Sequence, residues 1–248
     1  MTDFDNQVNN TVAELHNVQL TVELLTRASE RPDHLPGIVT LTGFSGYGKT
    51  YAASFVANMF NASYIACQST MTKKSFLEAI AREVGISPMR KSAGVLMEEI
   101  CSEIITNDTP LIIDEADYLI QKNLIEIVRD IYEGTQAPIL LIGEENFPSH
   151  LAKFERFHNR ILQWGLAQPC SLSDARQLAK LYHPNMDIKD CLLEHLVKKT
   201  QGVTRRIVVN LDSIHQTMLT EGLTDLTVQG WGTRIFWNGE PPKRRVVR

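Results

Sequence analysis

The chain has 248 residues, of which 43% are hydrophobic and 22% charged, and it carries a net charge of −4. These values exclude a disordered, fibrous or disulfide-scaffold protein, and the length suits one α/β core with a smaller appendage. The acidic balance also removes any whole-molecule attraction to nucleic acid, so such contacts would have to come from a local patch.

Residues 9–29 set Val12, Leu15, Val18, Val22 and Leu25 at near-helical spacing ahead of Pro32 and Pro36, which predicts a helix within an N-terminal lead-in over 1–36. GIVTLTG follows as a strand, residues 51–60 as a helix and ASYIAC as a second strand. Helices are expected over 73–84 and 93–106, then LIID at 111–114 as a strand buried on both faces. QKNLIEIVRDIYE reads as a helix, PILLIG as a strand, SHLAKFERFHN as a helix and RILQWGLA as a fifth strand. From Ser173 to about Thr220 the pattern turns helical, which marks a boundary near 168–172. The expected divisions are a lead-in, an α/β core over 37–170, a helical lid over 171–222 and a tail over 223–248. The end of that tail, WGTRIFWNGEPPKRRVVR, fits no helical period.

Cys67, Cys101, Cys170 and Cys191 stand apart with no CxxC pair, so buried, reduced thiols are expected rather than a zinc knuckle or redox site. Six of the seven histidines show no ligand spacing and the seventh, His158, lies inside an expected helix, so no metal beyond Mg²⁺ is expected. The start of the chain is polar and acidic where a signal peptide would be basic and then apolar, and no apolar run reaches membrane-spanning length, so a cytoplasmic protein without membrane contact is expected.

Gly43, Gly48, Lys49 and Thr50 match G-x-x-x-x-G-K-[ST] after a strand and at the start of a helix, the context in which that spacing holds phosphate. The expected nucleotide-binding set is Gly43, Phe44, Ser45, Gly46, Tyr47, Gly48, Lys49 and Thr50, with the adjoining Tyr51. Glycines let successive N–H groups turn inward, Lys49 reaches the β- and γ-phosphates, and the Thr50 hydroxyl holds Mg²⁺. LIIDEAD puts an acid pair at the end of an apolar strand: Asp114 binds Mg²⁺ through water and Glu115 polarises the attacking water. ATP and Mg²⁺ are therefore the expected cofactors, and Asp117 is expected to act as a cap or an ion-pair partner. At the end of the next strand Glu144, Glu145 and Asn146 all offer a polar group to the γ-phosphate, with Glu145 taken as the candidate.

In the order GFSGYGKT, LIIDEAD, LLIGEEN, FERFHNR, GVTRR, the chain resembles the AAA+ ATPases over roughly residues 10 to 215. Within them it resembles the transposition regulators of the bacteriophage Mu B and TnsC type. That resemblance implies a three-layer core with a parallel five-stranded sheet and a small helical lid. It implies that Arg156 or Arg160 reaches a neighbouring subunit's nucleotide as an arginine finger, and that Arg205, with Arg206 as the fallback, senses the γ-phosphate from the lid. It further implies an ATP-dependent helical filament on duplex DNA, without sequence preference, that stimulates a transposase. A secretion-type ATPase and a replication-initiation or helicase-loading ATPase are the alternatives. Residues 1–36 are too few for a helix-turn-helix domain, so DNA contacts are expected from the core, at Lys73, Lys74, Arg90 and Lys91. A solvated face is the competing account of these four. Lys243, Arg244, Arg245 and Arg248 could also bind DNA, or the tail could dock a partner through Trp231, Phe236 and Trp237.

Overall fold

The computed structural model describes residues 15–240. Val12 and the basic residues from Lys243 onward lie outside them. Contacts divide the described residues into one unit over Asn17–Ala167 and another that comprises 168–240 together with residues 15–16.

The first unit is an α/β sandwich. Its elements run α1 (His16–Ser29), β1 (Ile38–Thr42), α2 (Lys49–Met59), β2 (Ser63–Ala66), α3 (Lys73–Glu83), α4 (Ala93–Asn107) and β3 (Leu111–Asp114). They continue as α5 (Asp117–Gln121), α6 (Ile125–Thr135), β4 (Ile139–Gly143), α7 (Phe147–Leu151), α8 (Glu155–His158) and β5 (Ile161–Leu166). The five strands are all parallel, in the order β2-β3-β4-β1-β5. The β1, β3 and β4 strands are buried at every residue, as parallel strands covered on both faces must be. Their period of two sorts the side chains into two cores. Ile38, Leu111, Ile113, Ile139 and Leu141 pack with Phe76, Ile80, Ile100, Val128 and Ile131, while Val39, Leu41, Ile112, Leu140 and Ile142 pack with Leu24, Leu25, Ala53 and Val56. The sheet thus lies between α3, α4 and α6 on one side and α1 and α2 on the other, giving three layers.

Two helices expected as continuous are broken. The one expected over 121–133 begins only at Ile125, because Asn123 takes a left-handed φ of 53° and separates it from α5. The one expected over 149–159 is two short turns. Phe147 and Leu151 are buried one turn apart, and Phe154, at φ −106° and ψ 71°, redirects the chain so that Phe157 enters the same core.

The second unit comprises α9 (Leu172–Tyr182), β6 (Asp187–Ile188), α10 (Asp190–Thr200), α11 (Thr204–Glu221), β7 (Asp225–Leu226) and α12 (Val228–Trp231). Ser171 opens α9 with a capping box closed by Asp174. Leu178, Leu192, Leu193, Leu196, Ile207, Leu211 and Ile214 are buried. The expectation that the helical lid ends near 222 and gives way to a tail is corrected. The β6 and β7 strands pair in parallel, Trp231 is 4% exposed and stacks on Phe236 at 5.0 Å, and the Asn210 side chain both donates to Trp237 O and accepts from Trp237 N at 2.8 Å. The period escapes helical counting because Trp231 and Phe236 meet across a loop, not along a helix face. Trp231→Ala should therefore destabilise the protein by about 3 kcal/mol in chemical denaturation, as loss of a buried aromatic does, whereas a loose tail would lose nothing.

Candidate nucleotide site

The phosphate loop hangs from β1, which is paired on both sides from Ile38 to Thr42, by β4 and by β5. At Gly43 the chain leaves the sheet with φ 154°, and a Cβ there would lie 3.0 Å from Ala167 Cβ and 3.2 Å from Ala167 O. A larger residue would push the loop off the end of β5. Gly48 then caps α2 in the left-handed region, φ 83°, with no side chain bonded to the helix end and no acid in the first turn. The first N–H groups of α2 are thus left for an anion, in the field of the helix dipole.

Lys49 opens this helix, and its Nζ donates to Gly43 O at 2.6 Å and Phe44 O at 3.0 Å. Burial pushes its pKa below the usual lysine range, opposed by the nearby carboxylates of Asp114, Glu115, Glu144 and Glu145. Phe44 is 56% exposed and meets Tyr47 edge-on at 5.8 Å, while the Tyr47 ring packs on the second core. Asn17 fixes the loop from behind: its buried amide on α1 donates to Tyr47 O at 2.8 Å. Nothing in the local sequence marks this residue, which lies 30 positions from its partner.

The acid pair stands beside the loop. Asp114 is 3% exposed and accepts from Tyr64 Oη at 3.0 Å and from Glu115 N at 2.8 Å. Burial, with the Asp114 charge, raises the Tyr64 hydroxyl well above the usual tyrosine range, so it stays a donor. Cys67, whose N–H donates to Asp114 O at 2.9 Å, is a buried thiol pushed up to about 12 by burial first and Asp114 second, consistent with inert, reduced sulfur. Glu115 sits in the left-handed region at φ 54°, a strained position for a side chain with a Cβ, of about 1 kcal/mol or more. Its carboxyl is raised by desolvation first, then by Asp114 and Glu144, and lowered by Lys49. Asp117 accepts from Glu144 N at 2.7 Å and so fixes the turn after β4, a backbone anchor rather than a reactive group.

The remaining candidates separate. Glu144 and Glu145 both oppose the lowering of the Lys49 pKa, and Glu144 also acts on Glu115. Asn146 starts α7 without a side-chain cap bond. Arg160 is held within the chain by Glu133 at 2.6 Å, whereas Arg156 is exposed on α8 and, among the described residues, makes no ion pair. Arg205 is exposed in the first turn of α11, and Arg206 is half-buried. Of the four basic residues expected to meet DNA, Lys91 is paired with Glu99 and Lys74 lies 3.8 Å from Glu78, while Lys73 and Arg90 are exposed and, among the described residues, unpaired.

A phosphate loop at the end of a buried parallel strand, with an acid pair ending a strand two places away in the sheet, is the arrangement of the AAA+ P-loop fold. Residues 33–151 match the family described as "AAA domain". Over 180 residues, 67% of this chain and 59% of the relative, the chain is 27% identical to the Mu-like prophage FluMu DNA transposition protein B of Haemophilus influenzae. The chain thus spans about three fifths of that relative's length. These matches support a Mu B and TnsC-like AAA+ ATPase. Among solved structures it is similar to Cdc6p from Pyrobaculum aerophilum, with a TM-score of 0.59 and 13% identity over 91% of this chain and 68% of that one. It is also similar to the Aeropyrum pernix ORC1 protein solved in complex with DNA, at 0.59 and 19% over 87% and 63%, and to the Thermotoga maritima RuvB Holliday junction branch migration motor, at 0.57 and 17% over 86% and 65%. At such identities the likeness is one of fold.

If Glu115 is the base that orients water, activity requires its ionised form, and that form is lost as pH falls through a raised pKa. The acid limb of the ATPase pH profile should therefore lie above that of an unperturbed carboxylate. Glu115→Gln should remove the limb together with most turnover, and an unchanged profile in that variant would transfer the role to another group.

Proposed function

We propose that this chain binds ATP and Mg²⁺ through Lys49, Thr50 and Asp114, hydrolyses ATP with Glu115, and uses the bound nucleotide to assemble on duplex DNA and stimulate a transposase. In this account Asp114 and the Thr50 hydroxyl would hold Mg²⁺, and the N–H groups of residues 43–51 would cradle the phosphates. The metal and the helix end offset phosphate charge, and chemistry then needs one further cation on the transferred group.

The observation that carries the proposal is the difference between the two arginines. Arg160 is neutralised within its own chain by Glu133, while Arg156 presents an exposed guanidinium on α8 that, among the described residues, makes no ion pair. An exposed arginine suits a finger that completes a second subunit's site, so Arg156 is assigned that role, ATP lies between subunits, and the protein is a homo-oligomer when active. Arg205 keeps its γ-phosphate role by resemblance to the family alone.

Transposition rather than another process is favoured by the DNA transposition protein B relative. Lys73 and Arg90 are assigned to the phosphate backbone, where repetition along a filament multiplies two cations per subunit into a sequence-blind surface. The fold likeness to Cdc6p and ORC1 does not favour the replication reading, since it extends to RuvB equally. Among the described residues no helix is long and apolar enough to cross a membrane.

Electron microscopy of the purified protein with duplex DNA and a non-hydrolysable ATP analogue should show filaments that are absent without nucleotide, and their absence under all conditions would sink the proposal. Arg156→Ala should reduce ATP hydrolysis by about a thousandfold while leaving nucleotide binding in place. Arg160→Ala should have a small effect, and the reverse ranking would move the finger to Arg160.

A further inference from the structure

Two histidines without any ligand spacing in the sequence are brought together within the second unit. His183 follows the last turn of α9, while Asp212 and His215 stand three residues apart on α11 and so share a face of that helix. The two imidazole rings lie 4.4 Å apart between centroids, tilted by 41°. One ligand atom from each of His183, Asp212 and His215 can be chosen so that all three fall within 4.8 Å of one another. Both rings are half-buried and Asp212 is exposed, so the group opens to solvent on one side. Among the described residues, no hydrogen bond joins any two of these side chains, which leaves their lone pairs available.

We propose that His183, Asp212 and His215 form a binding site for Zn²⁺ or a divalent transition ion of the same borderline class, with water completing the coordination. Bonds of 2.0–2.2 Å at tetrahedral angles place ligand atoms about 3.4 Å apart, so closure from 4.8 Å asks for side-chain shifts of up to about 1.4 Å. Two nitrogens and one carboxylate oxygen match the ligand preference of zinc, copper or nickel, and disfavour Mg²⁺, which seeks six oxygens. The ion that serves ATP at Thr50 and Asp114 and the ion held here therefore differ in kind and do not compete. The site would cross-link the end of α9 to the middle of α11, whose first turn carries Arg205, and would stiffen the helix that presents that arginine.

The test uses the full chain and Co²⁺ as the probe, titrated in excess Mg²⁺ so that oxygen-rich sites are already filled. The expected result is one saturable equivalent with the strong visible absorption of four- or five-coordinate Co²⁺, displaced by stoichiometric Zn²⁺. His183→Ala and His215→Ala should each abolish that stage. Asp212→Asn, at an exposed position where folding is not at risk, should weaken it at least tenfold. Cys191→Ser should leave it unchanged, which separates the site from the exposed thiol. Absence of a saturable stage, or a stage that survives in folded His183→Ala and His215→Ala proteins, would reduce the cluster to a stacked pair of surface imidazoles and overturn the proposal.

Discussion

The nucleotide site depends on how β1 is held. Its five residues are buried and bonded on both sides, so the strand can neither slide nor fray, and the loop that leaves its end inherits a fixed starting point. From that point three constraints act together: Ala167 crowds Gly43, Asn17 grips the carbonyl of Tyr47, and Lys49 bonds back to Gly43 and Phe44. The loop is fixed by backbone geometry and packing, and the charged residues are added to a frame that is already rigid. The same logic holds on β3, where Asp114 is anchored by Tyr64 from the neighbouring strand and the strained backbone of Glu115 aims its carboxylate, leaving little to rotamer chance.

Charge sets the character of the site. Lys49 faces four carboxylates, a concentration of negative charge that disfavours ionisation of Glu115 and favours a cation between the acids and an incoming phosphate. In the function proposed above, Mg²⁺ would meet that requirement. Among the described residues Arg156 makes no ion pair, so its charge is open to solvent or to a negative group of another molecule.

Much of this was legible in the sequence because the signals are local. GFSGYGKT and LIIDEAD carry their chemistry in fixed spacing, and the fully apolar LIID and PILLIG announce strands covered on both faces. What escaped was tertiary. Asn17 and Tyr64 act on partners 30 and 50 residues away, and neither residue type signals such a role. FERFHN keeps a helical pattern on paper, yet burial of Phe157 in the core with Phe147 and Leu151 outweighs helix continuity. Trp231 and Phe236 looked like part of a tail because their stacking spans a loop, and His183 finds His215 only once α9 and α11 have packed.

The strand order has a consequence for how the protein comes into being. The β1 strand is made well before its two partners, and the bond between Thr42 and Gly165 closes a separation of 123 residues. Until β4 and β5 have left the ribosome, Ile38, Val39 and Leu41 have no lasting shelter, and such long-range parallel pairing is slow. The phosphate loop therefore cannot take its working shape until both partner strands have been made. Competence to bind ATP arrives together with completion of the sheet, so nucleotide binding by a nascent chain would report that folding of this unit has finished.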